Sequence, residues 1–274
     1  MTAEPEQPRS LFAEDLAFAV GVATSAGRLL MERYERVERV DYKSARDIVT
    51  EVDHLSEELI ISAIQGRFPG DAILAEESGE RATGSGDAAT SGRGRVWIID
   101  PVDGTINYAN GIPFFCVSIG LAVDGRPAAG VVLDPTRGDV FAATADGVAT
   151  LNGDAISASD KDKVSDFVVQ MALSGRTAPT RSRNLRKSVR ISRSMGSSAL
   201  ALAYVGNGRF DAFIQQGGMS NWDIAAAGLI AERAGANVTD MSGGPWFDLV
   251  RGSRRVGVVA APAAHHRTIL DLVR

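Results

Sequence analysis

An apolar segment that runs directly into two aspartates, at residues 96–103, constrains the fold of this chain more than any other feature. The run VWII contains no charged residue, which is typical of a strand that is buried on both faces. Such a strand needs neighbouring strands and covering helices, so the chain must build a layered core. Asp100 and Asp103 follow with Gly104, a sequence that predicts a turn. We expect both carboxylates to face one point, because a turn reverses the alternation that a strand imposes.

Helices and strands are predicted on separate stretches of the chain. Apolar spacing indicates a helix from Leu11 to Tyr34 and a second from about Asp53 to Phe68, with a loop between them that can face a site. Further strands are predicted at 96–100, 114–123, 128–134, 140–143, 167–173, 211–215 and 255–260, and further helices at 197–207, 223–235 and from about Ala263. Asp124-Gly125-Arg126-Pro127 favours a hairpin between two of these strands. The arrangement favours an α+β layered fold over a doubly wound βαβ repeat.

Composition excludes several classes of protein. With 45% hydrophobic and 23% charged residues, the chain is neither disordered nor collagen-like. The single cysteine, Cys116, cannot form an internal disulfide, no apolar run reaches transmembrane length, and the N-terminus lacks a signal-peptide pattern. We therefore expect a soluble, cytoplasmic protein with no membrane partner. The net charge of −5 gives no global positive field, which argues against nucleic acid as a partner.

The length of 274 residues fits one large domain or two closely packed halves. We predict a disordered tail at 1–10 and a single domain over 11–274, with halves at roughly 11–150 and 151–274. The Gly-, Ser- and Ala-rich segment at 80–95 predicts a flexible surface insertion.

The segment that begins at Asp100 is the strongest candidate for chemistry. Mg²⁺ prefers oxygen ligands in near-octahedral geometry, and Asp100, the Val102 carbonyl and Asp103 can supply them. Thr105-Ile106-Asn107 can open a short helix whose free N–H groups would bind phosphate. The alternative interpretation is an ordinary Asp-Gly turn in which Asp100 caps the turn or the helix.

Other acidic and basic segments have both a structural and a functional interpretation. Glu76-Glu77 follow a short apolar strand, where they are either a solvated strand end or a carboxylate pair that needs a cation. Asp223 is placed to be the N-cap of the helix that follows it, and Thr50 and Asp53 can cap the second helix. The basic segment 181–193 can attract phosphate or a polyanion, or it is a solvated face.

Three motifs stand in order along the chain: AEES at 75–78, WIIDPVDGTINY at 97–108 and WDIAAAGLIAERAGANVTD at 222–240. Together they resemble the three motifs of the inositol monophosphatase family, the magnesium-dependent, lithium-sensitive phosphatase superfamily. DIVTEVD at 47–53 and GGPWFDL at 243–249 are similar to further family segments. The resemblance therefore spans most of the chain outside the tail and the 80–95 segment.

The resemblance implies an α/β/α/β/α layered fold, normally a homodimer, that hydrolyses a phosphate monoester with two or three Mg²⁺ ions. One ion would take Glu76, Asp100 and the Val102 carbonyl. A second would take Asp100, Asp103 and Asp223. A third, weaker ion would use Glu76 with waters.

The resemblance also implies the catalytic residues. Asp53 and Thr105 would orient the attacking water, with Glu77 beside it in support and Lys43 in a loop near the metals. The phosphate would rest on the metals and on the N–H groups of Gly104 and Thr105.

Substrate contacts are implied, with less specificity, for Arg193, Gly196, Ser197 and Ser198. Enzymes of the family that act on inositol phosphates commonly carry an acidic residue where this chain has Gln215-Gln216, in a segment that is one residue longer before Asp223. A glutamine can hydrogen-bond a hydroxyl, but it brings no charge.

Myo-inositol monophosphate is the leading substrate, because DGTINY and the C-terminal segments are most similar to that branch of the family. Histidinol phosphate, fructose 1,6-bisphosphate and phosphoadenosine phosphate are the alternatives. A non-catalytic regulator that binds RNA or RNA polymerase is a further interpretation, which the basic segment favours and the intact set of acidic residues opposes.

Overall fold

The computed structural model describes residues 10–37, 39–44, 47–81, 93–176, 178–250 and 256–274. The predicted tail lies outside the described residues except for Ser10, and so does most of the predicted insertion, at 82–92. The prediction of a single domain with two halves stays a prediction.

Seven α-helices lie in the described part of the chain: α1 (Ala13–Arg33), α2 (Glu51–Arg67), α3 (Thr105–Ala109), α4 (Ala178–Ser188), α5 (Ser198–Ala203), α6 (Asn221–Arg233) and α7 (His266–Leu272). The strands of the same residues are β1 (Val40–Ser44), β2 (Asp47–Thr50), β3 (Ala72–Ala75), β4 (Gly79–Arg81), β5 (Arg95–Asp103), β6 (Cys116–Val123), β7 (Arg126–Asp134), β8 (Asp139–Thr144), β9 (Thr150–Leu151), β10 (Asp154–Ala155), β11 (Val168–Ala172), β12 (Ile191–Arg193), β13 (Ala212–Met219), β14 (Ala236–Asp240) and β15 (Val256–Pro262). No helix within the described residues is both long enough and apolar enough to cross a lipid bilayer.

Two large sheets form the frame of the protein. The first has eight strands in the order β10-β9-β8-β7-β6-β5-β3-β4, and its pairs are antiparallel except for β3 and β5. The second has five strands in the order β12-β11-β13-β15-β14 and is mixed. The hairpin predicted at Asp124-Gly125 joins β6 to β7, and both turn residues have positive φ, as a two-residue hairpin turn requires.

Helices cover the sheets in three separate layers. One face of the eight-stranded sheet packs against α1 and α2, and its other face packs against α5 and α6. Helices α5 and α6 also contact the inner face of the five-stranded sheet, through residues such as Phe213 and Val258. The next residue on each strand, Ile214 or Val259, faces outward onto α4 and α7. The order is therefore α/β/α/β/α, which confirms the predicted α+β layered fold.

The predicted loop between the first two helices is wrong in part. Val40 to Thr50 forms an antiparallel pair of strands, β1 and β2, with Val40 opposite Thr50. The β-branched residues Val40, Ile48, Val49 and Thr50 favour this extended backbone. Strand β14 was also missed, because the five residues ANVTD are too few to show a clear apolar alternation in the sequence.

The turn predicted after Asp100 is wrong as well. Strand β5 continues to Asp103, and Asp100 pairs with Ser118 while Asp103 pairs with Cys116. Between these two pairs the chain advances three residues along β5 but only two along β6. This irregularity is a β-bulge, and it changes the direction of the side chains next to it. The chain turns only at Gly104, whose φ of 98° precedes α3. A bulge, and not a turn, lets the two carboxylates reach the same side.

Close contact between α6 and the eight-stranded sheet depends on two glycines. A Cβ atom at Gly130 of β7 would lie 2.6 Å from Cα of Ala226, and one at Gly120 of β6 would lie 3.0 Å from Cβ of Ala225. The helix backbone therefore rests directly on the sheet. This close packing helps to place Asp223, in the first turn of α6, near the end of β5.

We expect Gly130→Ala to lower the free energy of unfolding by roughly 1–3 kcal/mol, because the added methyl group overlaps helix backbone that cannot rotate away. Urea denaturation followed by circular dichroism measures this. Gly21→Ala is the matched control, since nothing lies within 4 Å of its Cβ position on the exposed side of α1. The control should stabilise the protein by up to ~1 kcal/mol. Equal stability of the two variants would contradict the close packing of α6.

Candidate active site

Two neighbouring strand ends bring acidic residues together. Strands β3 and β5 are parallel, with Ala75 opposite Ile99. The pairing continues one residue further, because the N–H of Glu76 donates to the carbonyl of Ile99 at 3.2 Å. Glu76 therefore lies beside Asp100, and its negative charge contributes to the raised pKa of Asp100.

Three aspartates from two elements converge at this point. Asp100 and Asp103 come from β5, and Asp223 comes from the first turn of α6. One carboxylate oxygen of each lies within 4.8 Å of one oxygen of the other two. They line a cavity of about 260 Å³ together with Glu76, Val102, Gly104, Thr105, Ile106, Gly196, Gly218, Ser220 and Trp222.

The start of α5 fixes the carboxylate of Asp103. Oδ2 accepts hydrogen bonds from the Ser197 hydroxyl and, at 2.7 Å, from the N–H of Ala199. Oδ1 accepts the N–H of Ser198 at 3.2 Å. The thiol of Cys116 is 3.7 Å from Oδ2 and is fully buried, as expected for a small core side chain. Four contacts thus set the direction of one carboxylate before any ligand binds.

Capping boxes orient two further carboxylates. In α6 the N-cap is Ser220, and Asp223 accepts the Ser220 N–H at 2.5 Å from the third helical position. The prediction that Asp223 is itself the N-cap is therefore wrong by three residues. In α2 the N-cap is Thr50, and Asp53 accepts the Thr50 N–H at 2.9 Å, which confirms the predicted capping pair. In Asp53 the capping contacts use Oδ2, so that Oδ1 can contact Thr105.

Asp53 and Thr105 are linked at the edge of the cavity. The Thr105 hydroxyl is 2.9 Å from Oδ1 of Asp53 and 3.0 Å from the carbonyl of Val102, and it can donate to either. Asp53 is only 1% exposed, and burial raises its pKa, although hydrogen bonds from Thr50 and Thr105 oppose that change. The pair therefore combines a hydroxyl in the cavity wall with a buried carboxylate behind it.

Sequence reasoning missed Ser56 and Glu57 of α2, which support the strand ends. The Ser56 hydroxyl donates to the carbonyl of Pro101 at 3.2 Å. The buried carboxylate of Glu57 accepts the N–H of Glu77 at 2.8 Å and so holds the Glu76-Glu77 segment. Glu57 lies one helical turn after Asp53, and that spacing is the signal that was available in the sequence.

The electrostatics of the cluster favour a cation. Burial, followed by the charges of Glu76, Asp103 and Asp223, raises the pKa of Asp100 well above its usual value. Burial also raises the pKa of Asp103, against the hydrogen bonds from Ser197, Ala199 and Ser198. Neither aspartate forms an ion pair with a lysine or arginine in the part of the chain that the structure describes. Oxygen donors in this number suit Mg²⁺, so the residues present fit the predicted metal.

The remaining predicted residues lie at different distances from the cavity. Gly104 and Gly196 line it, and Gly196 packs closely against Asn107. Ser197 is buried behind Asp103, so the structure gives its hydroxyl a contact other than the predicted substrate.

Four other predicted residues do not line the cavity: Ser198, Gln215, Glu77 and Arg193. The Ser198 hydroxyl donates to Oε1 of Gln215 at 3.2 Å. Glu77 is half-buried, and Arg193 is exposed on the edge strand β12. The side chain of Lys43 lies outside the described residues.

The sequence model of the inositol monophosphatase family matches residues 12–274. A protein of Pseudomonas aeruginosa named Nus factor SuhB is 38% identical over 247 residues, which cover 85% of this chain and 87% of that protein. A fructose-1,6-bisphosphatase/inositol-1-monophosphatase of Thermotoga maritima is 35% identical over 229 residues, which cover 83% and 85% of the two chains. The crystal structure of extragenic suppressor protein suhB from Bartonella henselae has a TM-score of 0.86 at 31% identity, with 95% of this chain and 98% of that chain covered.

Asp100→Asn is expected to stabilise the metal-free protein, and the gain should increase with pH. Because the pKa of Asp100 is raised in the folded state, its protonated form is favoured there, and wild type loses stability relative to the variant as pH rises through that value. The two proteins should converge below pH 3.8, the usual Asp value. Urea denaturation in EDTA between pH 4 and 8 measures the difference.

Asp146→Asn is the matched control, because the pKa of Asp146 is lowered by hydrogen bonds from Ser10 and Leu11. A group of that kind contributes its full stabilisation above its unfolded pKa of 3.8, so this variant should be less stable than wild type by a difference that stays nearly constant from pH 4 to 8. A gain for Asp100→Asn that falls with pH would contradict the electrostatics described above.

Proposed function

The chain belongs to the inositol monophosphatase family, and on this premise we propose that it is a magnesium-dependent phosphatase that hydrolyses a small phosphate monoester. One observation carries the proposal: the carboxylates of Asp100, Asp103 and Asp223 lie within 4.8 Å of one another in a cavity that also contains Thr105. Ionised carboxylates at that distance repel one another, and a bound cation would offset this repulsion.

The ligand sets follow the family resemblance and are part of the proposal. Glu76, Asp100 and the Val102 carbonyl would hold one ion, and Asp100, Asp103 and Asp223 would hold a second. Glu76 would contribute to a third. All of these residues line the same cavity, which supports the assignment.

Phosphate monoester hydrolysis faces two obstacles, because the dianion repels a nucleophile and the departing alkoxide is a poor leaving group. Bound Mg²⁺ supplies positive charge at the phosphoryl oxygens and lowers the pKa of water toward neutrality. The N–H groups of Gly104 and Thr105, at the start of α3, would donate to the phosphate in the same cavity. Charge and hydrogen bonds thus act on the group being transferred.

Thr105 and Asp53 would activate the attacking water. When the Thr105 hydroxyl donates to Oδ1 of Asp53, its oxygen can accept a hydrogen bond from a water in the cavity. As that water attacks phosphorus, its proton can pass to Oγ1 of Thr105 while the Thr105 proton passes to Asp53. The raised pKa of Asp53 makes it a better acceptor than an ordinary aspartate. Glu77 would support the same water, and Lys43 would lie in a loop near the metal ions.

We propose myo-inositol monophosphate as the first substrate to test. Arg193, Gly196, Ser198 and Gln215 are the proposed contacts to the alcohol, and histidinol phosphate, fructose 1,6-bisphosphate and phosphoadenosine phosphate are the alternatives. The enzyme is further proposed to be a cytoplasmic homodimer that lithium inhibits, and sedimentation velocity tests the dimer.

A regulatory role is the second candidate function. It is favoured by the relative named Nus factor SuhB and by the basic helix α4, which contains Arg181, Arg183, Arg186 and Lys187 and no acidic residue. In this role the chain would bind RNA or RNA polymerase through α4 and would not need turnover.

A phosphate-release assay over the four substrates separates the two candidates. We expect Mg²⁺-dependent release from at least one, with inhibition by added Li⁺, because catalysis needs cations in the carboxylate cluster. The chelated protein is the control and should be inactive. If wild type with Mg²⁺ releases no phosphate from any substrate, the enzymatic proposal fails and the regulatory one remains.

Asp103→Asn should lower kcat by about 10²–10³-fold or more, because a neutral amide cannot offset the charge of the second cation as a carboxylate does. It should also remove the rise in Tm that millimolar Mg²⁺ gives the wild type. Glu232→Gln is the matched control, since Glu232 is an exposed carboxylate on α6, outside the cavity. The control should retain both properties. Full activity of Asp103→Asn would remove Asp103 from the metal site.

A further inference from the structure

Two buried side-chain amides bind the backbone of one residue, Met195, at both of its polar groups. The amide nitrogen of Asn107, in α3, donates to the Met195 carbonyl at 2.7 Å. Oε1 of Gln170, in β11, accepts the Met195 N–H at 3.1 Å. Asn107 is 7% exposed and Gln170 is 2% exposed. Hydrogen bonds from such buried side chains are stronger than the same contacts in water, because the local dielectric constant is low.

Asn107 uses its amide nitrogen for two partners. The same nitrogen donates to the carbonyl of Phe114, also at 2.7 Å. A primary amide carries two N–H groups, so each carbonyl can receive one of them. Gly196, directly after Met195, packs against this amide: a Cβ atom there would lie 2.9 Å from its nitrogen and from its oxygen, and φ of Gly196 is 88°. Asn107 therefore fixes the backbone of residues 195 and 196 by contact as well as by hydrogen bonding.

The residues that follow Met195 hold the carboxylate of Asp103. The Ser197 hydroxyl and the backbone N–H groups of Ser198 and Ala199 donate to it. Strand β12 ends at residue 193 and α5 begins at residue 198, so residues 194–197 belong to neither element. The position of the three donors therefore depends on what binds the backbone just before them.

The contacts form a closed ring that includes Asp103. Helix α3 begins at Thr105, two residues after Asp103, and Asn107 is the third residue of this helix. The hydrogen bond from Asn107 leads to Met195, and the donors at the start of α5 lead back to Asp103. Gln170 connects the ring to the five-stranded sheet, whereas Asp103 ends β5 of the eight-stranded sheet. A closed ring restricts movement of the carboxylate more than its own hydrogen bonds would.

We propose that Asn107 and Gln170 are positioning residues of the metal centre. By fixing the backbone of Met195, they hold the donors at residues 197–199 against Asp103 and so direct its carboxylate toward the second ion. Neither side chain is among the residues that line the cavity, so both act through the backbone between them. The inference rests on the proposed function, in which Asp103 is a ligand of that ion.

The test removes each amide contact and measures Mg²⁺ binding without substrate. Asn107→Ala removes both N–H donors, and Gln170→Met replaces the oxygen acceptor of the Met195 N–H by a weakly accepting thioether of similar length. We expect each variant to raise the Kd for Mg²⁺ by about tenfold in calorimetric titration, as is typical for groups that orient a metal ligand. Asn110→Ala is the matched control, because the exposed amide of Asn110 donates to the Ile106 carbonyl within the same helix. The control should keep the wild-type Kd.

Hydrogen exchange in EDTA measures the positioning itself, with no metal present. We expect the amides of Ser198 and Ala199 to exchange about tenfold faster in both variants, because their hydrogen bonds to Asp103 would open more often. NMR follows these rates one residue at a time. The amide of Ile119, in the centre of the eight-stranded sheet, is the internal reference for unfolding of the whole molecule. The increase should appear in the ratio of the rates of residues 198 and 199 to the rate of residue 119.

Two results would overturn the inference. One is a wild-type Kd for Mg²⁺ in both variants together with a lower Tm, which would show that the two amides only stabilise the fold. The other is an equal rise in Kd for Asn110→Ala, which would show a general effect of disturbing α3. If Asn107→Ala does not fold, Gln170→Met decides between these outcomes, since it leaves α3 unchanged.

Failure of the proposed function gives a different result, because wild type itself would then bind no Mg²⁺. The exchange rates in EDTA still test the positioning in that case. Faster exchange of Ser198 and Ala199, relative to Ile119, supports the role of the two amides in holding Asp103. Unchanged relative rates in both variants overturn it.

Discussion

Mutual repulsion among buried carboxylates is the constraint on which the rest of this structure depends. Asp100 is 1% exposed, and its pKa is raised first by burial and then by the three acidic residues around it. Left to relax, such groups would separate or take up protons. They stay together because the backbone that carries them is fixed by pairing with neighbouring strands and by helix packing, so the energy of folding elsewhere offsets the repulsion.

Several different local interactions direct the carboxylates toward one point in space. A β-bulge aims Asp100 and Asp103, the first turn of α5 binds Asp103, and capping boxes fix Asp53 and Asp223. The contacts at the helix starts also satisfy backbone N–H groups that would otherwise lack partners. Structural and functional roles therefore coincide in the same atoms, and a capping assignment does not argue against a metal-binding one.

The sequence predicted the elements and the acidic residues better than it predicted their contacts. Apolar periodicity gave α1, α2 and the central strands, because those residues are buried on regular faces. The bulge at Asp100–Asp103 was predicted as a turn, since both produce the same break in alternation and only the pairing with β6 distinguishes them. The contact of Ser197 with Asp103 joins positions 94 residues apart, which no local pattern reveals. Glu57 was within reach of sequence reasoning, because its spacing from Asp53 places both on one face of α2.

The position of α6 between the two sheets has a mechanical consequence. Its aspartate belongs to the layer that contacts both sheets, whereas Asp100 and Asp103 belong to the first sheet alone. An ion bound between them, as proposed above, would crosslink two layers that are otherwise joined only by the packing of α6 against the sheet. Removal of such an ion would take away this crosslink, so chelation should loosen the molecule first at the contact between α6 and the first sheet.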